Sequence, residues 1–156
     1  PYGKRMLLAK VGEANVVKEM IQTKAFFGGE GNGGVIDPKI SSFGRDSLAG
    51  IGHILNYLSL SKINIDKQLD TMPQLFMKKE SISIEGRDIK DIFNRLKDYY
   101  SDSRISDKDG IRFDFNSSWV HVRASNTEPI IRIIAEAKNE NDLLLLVKKT
   151  KEKIES

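Results

Sequence analysis

The chain has 156 residues, of which 25 are Lys or Arg and 22 are Asp or Glu, so its formal net charge is only +3. The charges are spread evenly, with 9 basic and 7 acidic residues up to residue 74 and 16 and 15 after it, which argues against a nucleic-acid partner. The absence of Cys and the presence of only two His exclude disulfides and thiolate catalysis and leave little material for a zinc site.

The first half of the chain combines short apolar runs with helical patterns. Gly12 ends the first apolar run, and Asp46 is a suitable N-cap for a helix with apolar side chains at 48, 51, 55 and 58. The predicted elements are, in order, a strand over 5–11, a helix over 13–23, a strand over 25–27, a turn at Asp37-Pro38, a helix after Asp46, and a short helix over 66–72 that stops at Pro73.

The second half shows the alternation of apolar and polar residues that is typical of half-buried strands. Such alternation covers residues 81–84, 111–115 and 119–123, and an apolar strand follows over 129–134. Apolar residues at helical spacing mark one helix around 89–96 and another around 143–154. The order β-α-β-β-β-α predicts an α+β domain, in which two helices cover an antiparallel sheet. We place the boundary near residues 73–79, which gives domains over 1–74 and 75–156.

A glycine-rich loop, GGEGNGG, occupies residues 28–34. Its glycines would let a ligand approach the backbone closely. Glu30 and Asn32 are the only polar side chains among them, and a carboxylate and a carboxamide can hydrogen-bond the vicinal hydroxyls of a sugar. A flexible turn without a ligand explains the glycines equally well. The spacing is that of neither a dinucleotide fingerprint nor a P-loop.

A second polar loop, RASNTEP, joins two predicted strands over residues 123–129. Small polar residues in such a turn expose backbone N–H groups in a concave nest. Ser125 and Thr127 add hydroxyls, Asn126 adds an amide, and Arg123 adds a planar cation, a combination that suits a phosphate. Arg132 on the following strand could face the same anion or the solvent. An ordinary hydrogen-bonded turn is the alternative interpretation.

The segments FGGEGNGG, DGIRFDF, WVHVRASNTEP and IIRIIAEA together resemble the C-terminal part of the α-D-phosphohexomutases, the family of phosphoglucomutase/phosphomannomutase and phosphoglucosamine mutase. The resemblance covers nearly the whole chain but only the last third of the family's enzyme. It implies an α/β remnant of the third domain, followed by a fourth domain with an antiparallel sheet and two helices that is TATA-binding-protein-like.

The resemblance also implies roles for individual residues. Glu30 would contact the sugar hydroxyls, Asn32 takes the place of a serine in the family's loop, and Gly34 stands where many bacterial members have His. The rest of the sugar-binding loop would be formed by Gly29, Gly31 and Gly33. The substrate phosphate that does not react would be held by Arg123, Ser125, Asn126, Thr127 and Arg132.

The family's phosphoserine loop and its magnesium loop do not occur in this sequence, and Asp107-Lys108-Asp109-Gly110 is better explained as a polar turn than as a metal site. We therefore expect no catalytic and no metal-binding residue here, and no activity of this chain alone. As the resemblance implies, other parts of the parent enzyme would bind Mg²⁺ and carry the phosphoserine, and hexose 1,6-bisphosphate would be its activator.

These expectations describe the C-terminal part of an intramolecular phosphotransferase. The resemblance implies that the parent interconverts hexose 1-phosphate and hexose 6-phosphate through a phosphoserine enzyme and a bisphosphate intermediate. The alternative is a stand-alone, non-catalytic module that binds sugar phosphates. The expected partners are a hexose phosphate and the N-terminal domains of the same enzyme, or a second copy of the chain, because the strands over 5–11 and 25–27 would keep unpaired edges.

No apolar run reaches the roughly 20 residues of a membrane-spanning helix. The first residues, PYGKR, do not lead into the apolar core of a signal peptide. We therefore expect a cytoplasmic protein without a membrane partner.

Overall fold

The structure, a computed structural model, describes residues 6–84, 86–125 and 127–156. The chain divides into two units, Pro1–Met72 and Pro73–Ser156, which we call the first and the second unit. In the part of the chain that the structure describes, no helix is long and apolar enough to cross a membrane.

The first unit contains four helices and one short hairpin within its described residues. Asp46 caps the longest helix, since its Oδ1 accepts a hydrogen bond from the N–H of Ala49 at 3.0 Å. The elements are α1 (Glu13–Thr23), β1 (Gly28–Gly29), β2 (Val35–Ile36), α2 (Pro38–Ser41), α3 (Ser47–Ser61) and α4 (Ile65–Asp70).

Two strands that the sequence predicts for the first unit are wrong. Residues 6–11 form no strand, Arg5 lies outside the described residues, and residues 25–27 form none either. The chain becomes extended only at Gly28–Gly29, which pairs antiparallel with Val35–Ile36. A strand needs a neighbour for its N–H and C=O groups. In the described part of this unit, β1 and β2 form the only sheet, so short apolar runs outside this hairpin stay irregular.

The second unit is an antiparallel five-stranded sheet in the order β3-β7-β6-β5-β4, which confirms the predicted α+β class with two helices. The structure adds the short edge strand β4, which the sequence pattern did not predict. The elements are β3 (Phe76–Ser83), α5 (Ile89–Tyr99), β4 (Arg104–Ser106), β5 (Ile111–Asp114), β6 (Ser118–Ala124), β7 (Ile130–Ala137) and α6 (Glu140–Glu155).

The core of the second unit lies between one face of the sheet and the two helices. Alternate residues of β5, β6 and β7 are fully buried, as period-two alternation predicts. They pack with the apolar faces of α5 and α6 in one cluster, whose largest members include Phe113, Ile133, Ile92, Leu96 and Ile154. The residues that alternate with them, among them Arg112, Trp119 and Arg123, lie on the opposite face of the sheet.

Candidate functional site

The glycine-rich loop is the turn of the β1–β2 hairpin. Gly29 pairs with Val35 at the end of the ladder. The N–H of Glu30 donates to the carbonyl of Gly34 at 2.9 Å, and the N–H of Gly33 donates to the carbonyl of Glu30 at 3.1 Å. Gly33 has a φ of 92°, a conformation that side-chain-bearing residues rarely adopt. The loop is therefore an ordered turn, although a Cβ at Gly31 or Gly33 would meet no atom within 4 Å.

The two polar side chains of this loop differ in their surroundings. Asn32 is exposed, and its Oδ1 accepts the N–H of Gly34 at 3.0 Å, an interaction that does not use its NH₂ group. Glu30 is only 15% exposed, and its Oε2 lies 3.2 Å from Nη1 of Arg45. Arg45 is in turn bound to Glu13. The sequence patterns did not single out Arg45, because it belongs to no motif and its partners are distant along the chain.

A buried carboxylate follows the hairpin directly. Asp37 caps α2 by accepting the N–H of Lys39 at 2.9 Å through Oδ1, and its Oδ2 lies 2.8 Å from Nε2 of His53 on α3. The backbone N–H of Lys39 and, to a smaller extent, His53 hold the pKa of Asp37 below its usual range. The ring of Phe27 meets His53 edge-on at 5.6 Å. These contacts join the residues flanking the loop to α3.

The polar loop of the second unit connects the neighbouring interior strands β6 and β7. The two ends of the loop are joined by a hydrogen bond from the N–H of Ser125 to the carbonyl of Ile130 at 2.9 Å. The hydroxyls of Ser125 and Thr127 lie 3.3 Å apart, and the N–H of Thr127 points at Oγ of Ser125 at 3.4 Å. The loop therefore presents two neighbouring hydroxyls, while the N–H groups of Ser125 and Thr127 are bonded within the loop. Asn126, which the sequence assigns to the same cluster, lies outside the described residues.

Two arginines stand side by side at the strand ends that carry this loop. Arg123 and Arg132 are directly opposite each other in the β6–β7 register, an arrangement that is unfavourable for like charges unless they are compensated. Nη1 of Arg123 lies 3.3 Å from Oδ2 of Asp109, and Nη2 of Arg132 lies 3.8 Å from Oε2 of Glu128. Both arginines remain partly exposed, so an anion can reach them.

Asp109 and Gly110 both contact Arg123. Asp109 contributes its carboxylate to Arg123 and its backbone carbonyl to Nε2 of His121. The next residue, Gly110, has a φ of 65°, and a Cβ there would lie 2.6 Å from Cβ of Arg123. The polar turn that the sequence predicts at 107–110 therefore packs against the arginine. Among the described residues, no group of three or more His, Asp or Glu side chains could hold a metal ion.

The sequence matches two family profiles that divide the chain between them. Residues 1–76 match the alpha/beta/alpha domain III of phosphoglucomutase/phosphomannomutase, and residues 79–153 match the C-terminal domain of the same enzymes. The chain belongs to the phosphoglucomutase/phosphomannomutase family. The resemblance stated from the sequence motifs is thereby confirmed.

Relatives within the phosphoglucomutase/phosphomannomutase family carry more than one enzyme name. A phosphoglucomutase/phosphomannomutase of Thermococcus kodakarensis is 34% identical over 140 residues, which are 88% of this chain and 30% of that protein. A phosphoglucosamine/phosphogalactosamine mutase of Sulfurisphaera tokodaii is 30% identical over 149 residues, 94% of this chain and 32% of that protein. The chain thus spans about a third of the length of these curated relatives.

The fold is also that of a solved member of the family. The crystal structure of a phosphoglucomutase/phosphomannomutase family protein from Burkholderia thailandensis matches 95% of this chain and 32% of its own, with a TM-score of 0.73 and 18% identity. The predicted fold class, an α/β part of domain III followed by an α+β domain IV, is confirmed. The roles of individual residues in the two loops stay predictions.

Proposed function

We propose that this chain supplies the sugar-recognition and phosphate-recognition loops of a phosphohexomutase, an enzyme that interconverts hexose 1-phosphate and hexose 6-phosphate. The observation that carries the proposal is the pair of arginines beside two hydroxyls at the β6–β7 loop, in the domain that matches the family's C-terminal domain. The reaction of the whole enzyme would proceed through a phosphoserine and a bisphosphate intermediate, with hexose 1,6-bisphosphate as activator.

The hairpin loop of the first unit is suited to reading sugar hydroxyls. The carboxylate of Glu30 can accept a hydrogen bond from a hydroxyl, and the NH₂ group of Asn32 can donate one. The small side chains of the turn leave its tip open, so a pyranose ring can approach the backbone of Gly31 and Gly33. Gly29, which ends the strand ladder, would belong to the same binding loop. Such contacts position a substrate and do no bond-breaking themselves.

The β6–β7 loop is suited to holding a phosphate that does not react. Arg123 and Arg132 would supply charge-assisted hydrogen bonds, and Ser125, Asn126 and Thr127 would supply neutral donors. Each arginine already has a carboxylate neighbour, which orients the guanidinium before a ligand arrives. Phosphoryl transfer depends mainly on such positioning together with electrostatic stabilisation.

The metal and the nucleophile of the reaction would come from other parts of the full-length enzyme. The described acidic residues do not form a metal site, so no step through Mg²⁺ is assigned to this chain. The partners we propose are therefore a hexose phosphate substrate and the remaining domains of the enzyme. The exposed apolar surface of α3 supports an association with further protein. We propose a cytoplasmic location, where sugar phosphates are metabolised.

A test of the phosphate role compares Arg123→Ala with Arg104→Ala in the full chain. Arg104 lies in the same sheet, its side chain is 86% exposed, and its nearest carboxylate, that of Asp114, is 3.8 Å away. It is therefore a control for the loss of an arginine that is not assigned to phosphate binding. We expect Arg123→Ala to weaken binding of inorganic phosphate about ten- to hundredfold, because a charge-assisted contact contributes about 1.5–3 kcal/mol. Calorimetric titration with phosphate measures both variants. Equal affinities for wild type and Arg123→Ala would refute the assignment.

The sugar role is tested with Glu30→Gln, which keeps the shape of the side chain but removes the charge. Titration with glucose 1-phosphate, mannose 1-phosphate and inorganic phosphate should show reduced discrimination between the two epimers and unchanged binding of phosphate. Equal losses for sugar phosphate and inorganic phosphate would contradict a sugar contact. A mixing experiment separates the phosphohexomutase from the alternative of a stand-alone binding module. If the chain is part of a phosphohexomutase, mixing it with the N-terminal domains of a relative should give mutase activity; a stand-alone module should give none.

A further inference from the structure

Arg45 connects the glycine-rich loop to a helix that is distant in sequence. Its backbone N–H donates to Oε1 of Glu13 on α1 at 3.1 Å, and its Nε donates to Oε2 of the same carboxylate at 2.8 Å. Two bonds from one residue to one carboxylate fix both the backbone and the plane of the guanidinium. The remaining edge of the guanidinium then meets the loop, where Nη1 lies 3.2 Å from Oε2 of Glu30.

The path of Arg45 depends on the absence of a side chain at Gly34. A Cβ at Gly34 would lie 2.7 Å from Cδ of Arg45, 3.2 Å from Oδ1 of Asn32 and 3.4 Å from Cγ of Arg45; the shortest of these distances requires the arginine to move. The φ of Gly34 is not positive, so the glycine is not needed for backbone conformation. The requirement is spatial, because the arginine passes directly over the end of the loop on its way to Glu30.

The ion pair with Arg45 further restricts a carboxylate that is already largely buried. Glu30 stands between two glycines, and its side chain is only 15% exposed, although a Cβ at Gly31 would meet no atom within 4 Å. The guanidinium pairs with Oε2, so a ligand hydroxyl would bind the carboxylate through its other oxygen, Oε1. Ordering such a side chain before binding removes an entropic cost from the binding step.

We infer that Arg45 is the positioning residue of the sugar-binding loop: held by Glu13 and passing over Gly34, it fixes the carboxylate of Glu30 for a pyranose hydroxyl. The inference rests on the proposed function for the choice of ligand. The positioning itself rests only on the contacts among these four residues. Arg45 needs no contact with the substrate to act in this way.

The first arm of the test measures the loop without a ligand. Amide hydrogen exchange of the full chain reports on the N–H of Glu30, which is bonded to the carbonyl of Gly34. Arg45→Ala and Glu13→Gln should each increase its exchange rate several-fold. Arg104→Ala is the control for losing an arginine, and Gly52→Ala, where a Cβ meets nothing within 4 Å, is the control for Gly→Ala. An unchanged rate in Arg45→Ala would overturn the positioning role.

The second arm measures binding of glucose 1-phosphate and inorganic phosphate by amide chemical shifts. Arg45→Ala should weaken glucose 1-phosphate about three- to tenfold, the range expected when one side chain must be ordered on binding, and should leave inorganic phosphate unchanged. Gly34→Ala alone should weaken binding of glucose 1-phosphate by the same factor as Arg45→Ala, because it acts by displacing the arginine. Added to Arg45→Ala, it should weaken this binding no further. Additive losses, or equal losses for both ligands, would overturn the inference.

Failure of the proposed function gives a different result from failure of the inference. If the wild type binds glucose 1-phosphate no better than inorganic phosphate and the loop amides do not shift, the sugar role of Glu30 is wrong, whatever the variants do. In that case the inference is overturned for the pyranose, and hydrogen exchange still shows whether Arg45 orders the loop. Arg45→Lys adds a specificity check, since one ammonium group cannot reproduce both side-chain contacts of the guanidinium, the one with Glu13 and the one with Glu30, and should not restore binding.

Discussion

The two units have similar lengths but very different interiors. Sixteen apolar residues of the second unit form one buried cluster between the sheet and two helices. In the described part of the first unit only Met20, Ile36 and Ala49 are buried apolar residues. Five strands and two amphipathic helices can enclose a core, whereas a hairpin of two-residue strands cannot. We therefore expect the second unit to be the more stable of the two.

Helix α3 shows most clearly what the first unit lacks. It is apolar around most of its circumference, and Leu48 and Leu60 are 79% and 77% exposed. It packs against the hairpin at Gly50, where a Cβ would lie 3.2 Å from Cγ2 of Val35. A helix that is apolar all round is normally buried in a larger protein. Since the chain spans about a third of the length of its relatives, we propose that further parts of the enzyme cover α3.

Expressing the two units separately should give the largest effect. Residues 73–156 should unfold cooperatively in urea, because their core is complete. Residues 1–72 should unfold at a much lower urea concentration, since less apolar surface is buried to offset the conformational entropy of the chain. Circular dichroism and amide hydrogen exchange measure both fragments. Slowly exchanging amides in α1 and α3 of the isolated first fragment would show that the comparison between the units is misleading.

A pair of identical substitutions makes the same comparison at single residues. Ile133→Ala removes a fully buried side chain from the central strand β7 and should lower the free energy of unfolding of the second unit by about 2–5 kcal/mol. Ile54→Ala on α3 removes a side chain that is 54% exposed and should change stability by less than about 0.5 kcal/mol. Urea denaturation of the full chain measures both. Similar losses would mean that α3 is already covered, for instance by a second copy.

Self-association is the third expectation, because large exposed apolar patches usually mark interaction surfaces. Sedimentation velocity should show a mean mass that rises with the concentration of the full chain. Leu48→Glu and Leu60→Glu together should reduce this association, while Lys148→Glu on the second unit, a control on an exposed helix face, should not. A clean monomer at high concentration, with protected amides at 13–23 and 47–61, would show that the first unit needs no partner.

How far the sequence could predict this structure also differs between the units. Residues 111–115 and 119–123 alternate so regularly that their strands and their buried faces follow from the pattern alone. In the first unit, the short apolar runs at 5–11 and 25–27 carry no such signal, and whether they become strands depends on a neighbouring strand. Strand β4 was missed for a related reason, since Arg104–Ser106 is an edge strand defined only by its pairing with β5.

The candidate site shows the same division between local and tertiary information. Glu30 and Arg123 could be predicted because motifs of consecutive residues contain them. Their partners Arg45 and Asp109 could not, since each is an ordinary charged residue until the fold brings it within 3.3 Å of its neighbour. No periodicity or spacing connects Arg45 with Glu13, which precedes it by 32 positions. Loops can therefore be found from sequence, but the residues that orient them require the structure.

The smallest expected effect concerns an ion pair that joins the edge of the sheet to α6 in the second unit. Nζ of Lys151 lies 2.6 Å from Oε2 of Glu80, and Nζ of Lys78 lies 2.9 Å from Oε1 of Glu80. The hydrogen bond from Lys151, and then that from Lys78, holds the pKa of Glu80 below its usual value, while Glu80 raises the pKa of Lys151. The charged forms of both residues are therefore more favoured in the folded protein than in the unfolded chain.

A carboxyl whose pKa is lowered by folding stabilises the protein above its ordinary pKa of about 4.3, and this contribution is lost as the pH falls through the lower folded value. An ammonium group whose pKa is raised contributes below about 10.4 and loses its effect as the pH rises past that point. Lys151→Met should therefore lower the urea midpoint at pH 7 and flatten its fall on acidification. Lys148→Met, whose partner Glu152 is 4.0 Å away on an exposed face, is the control. Parallel pH profiles for wild type and Lys151→Met would show that this contact adds nothing to the second unit, whose stability would then come from its core alone.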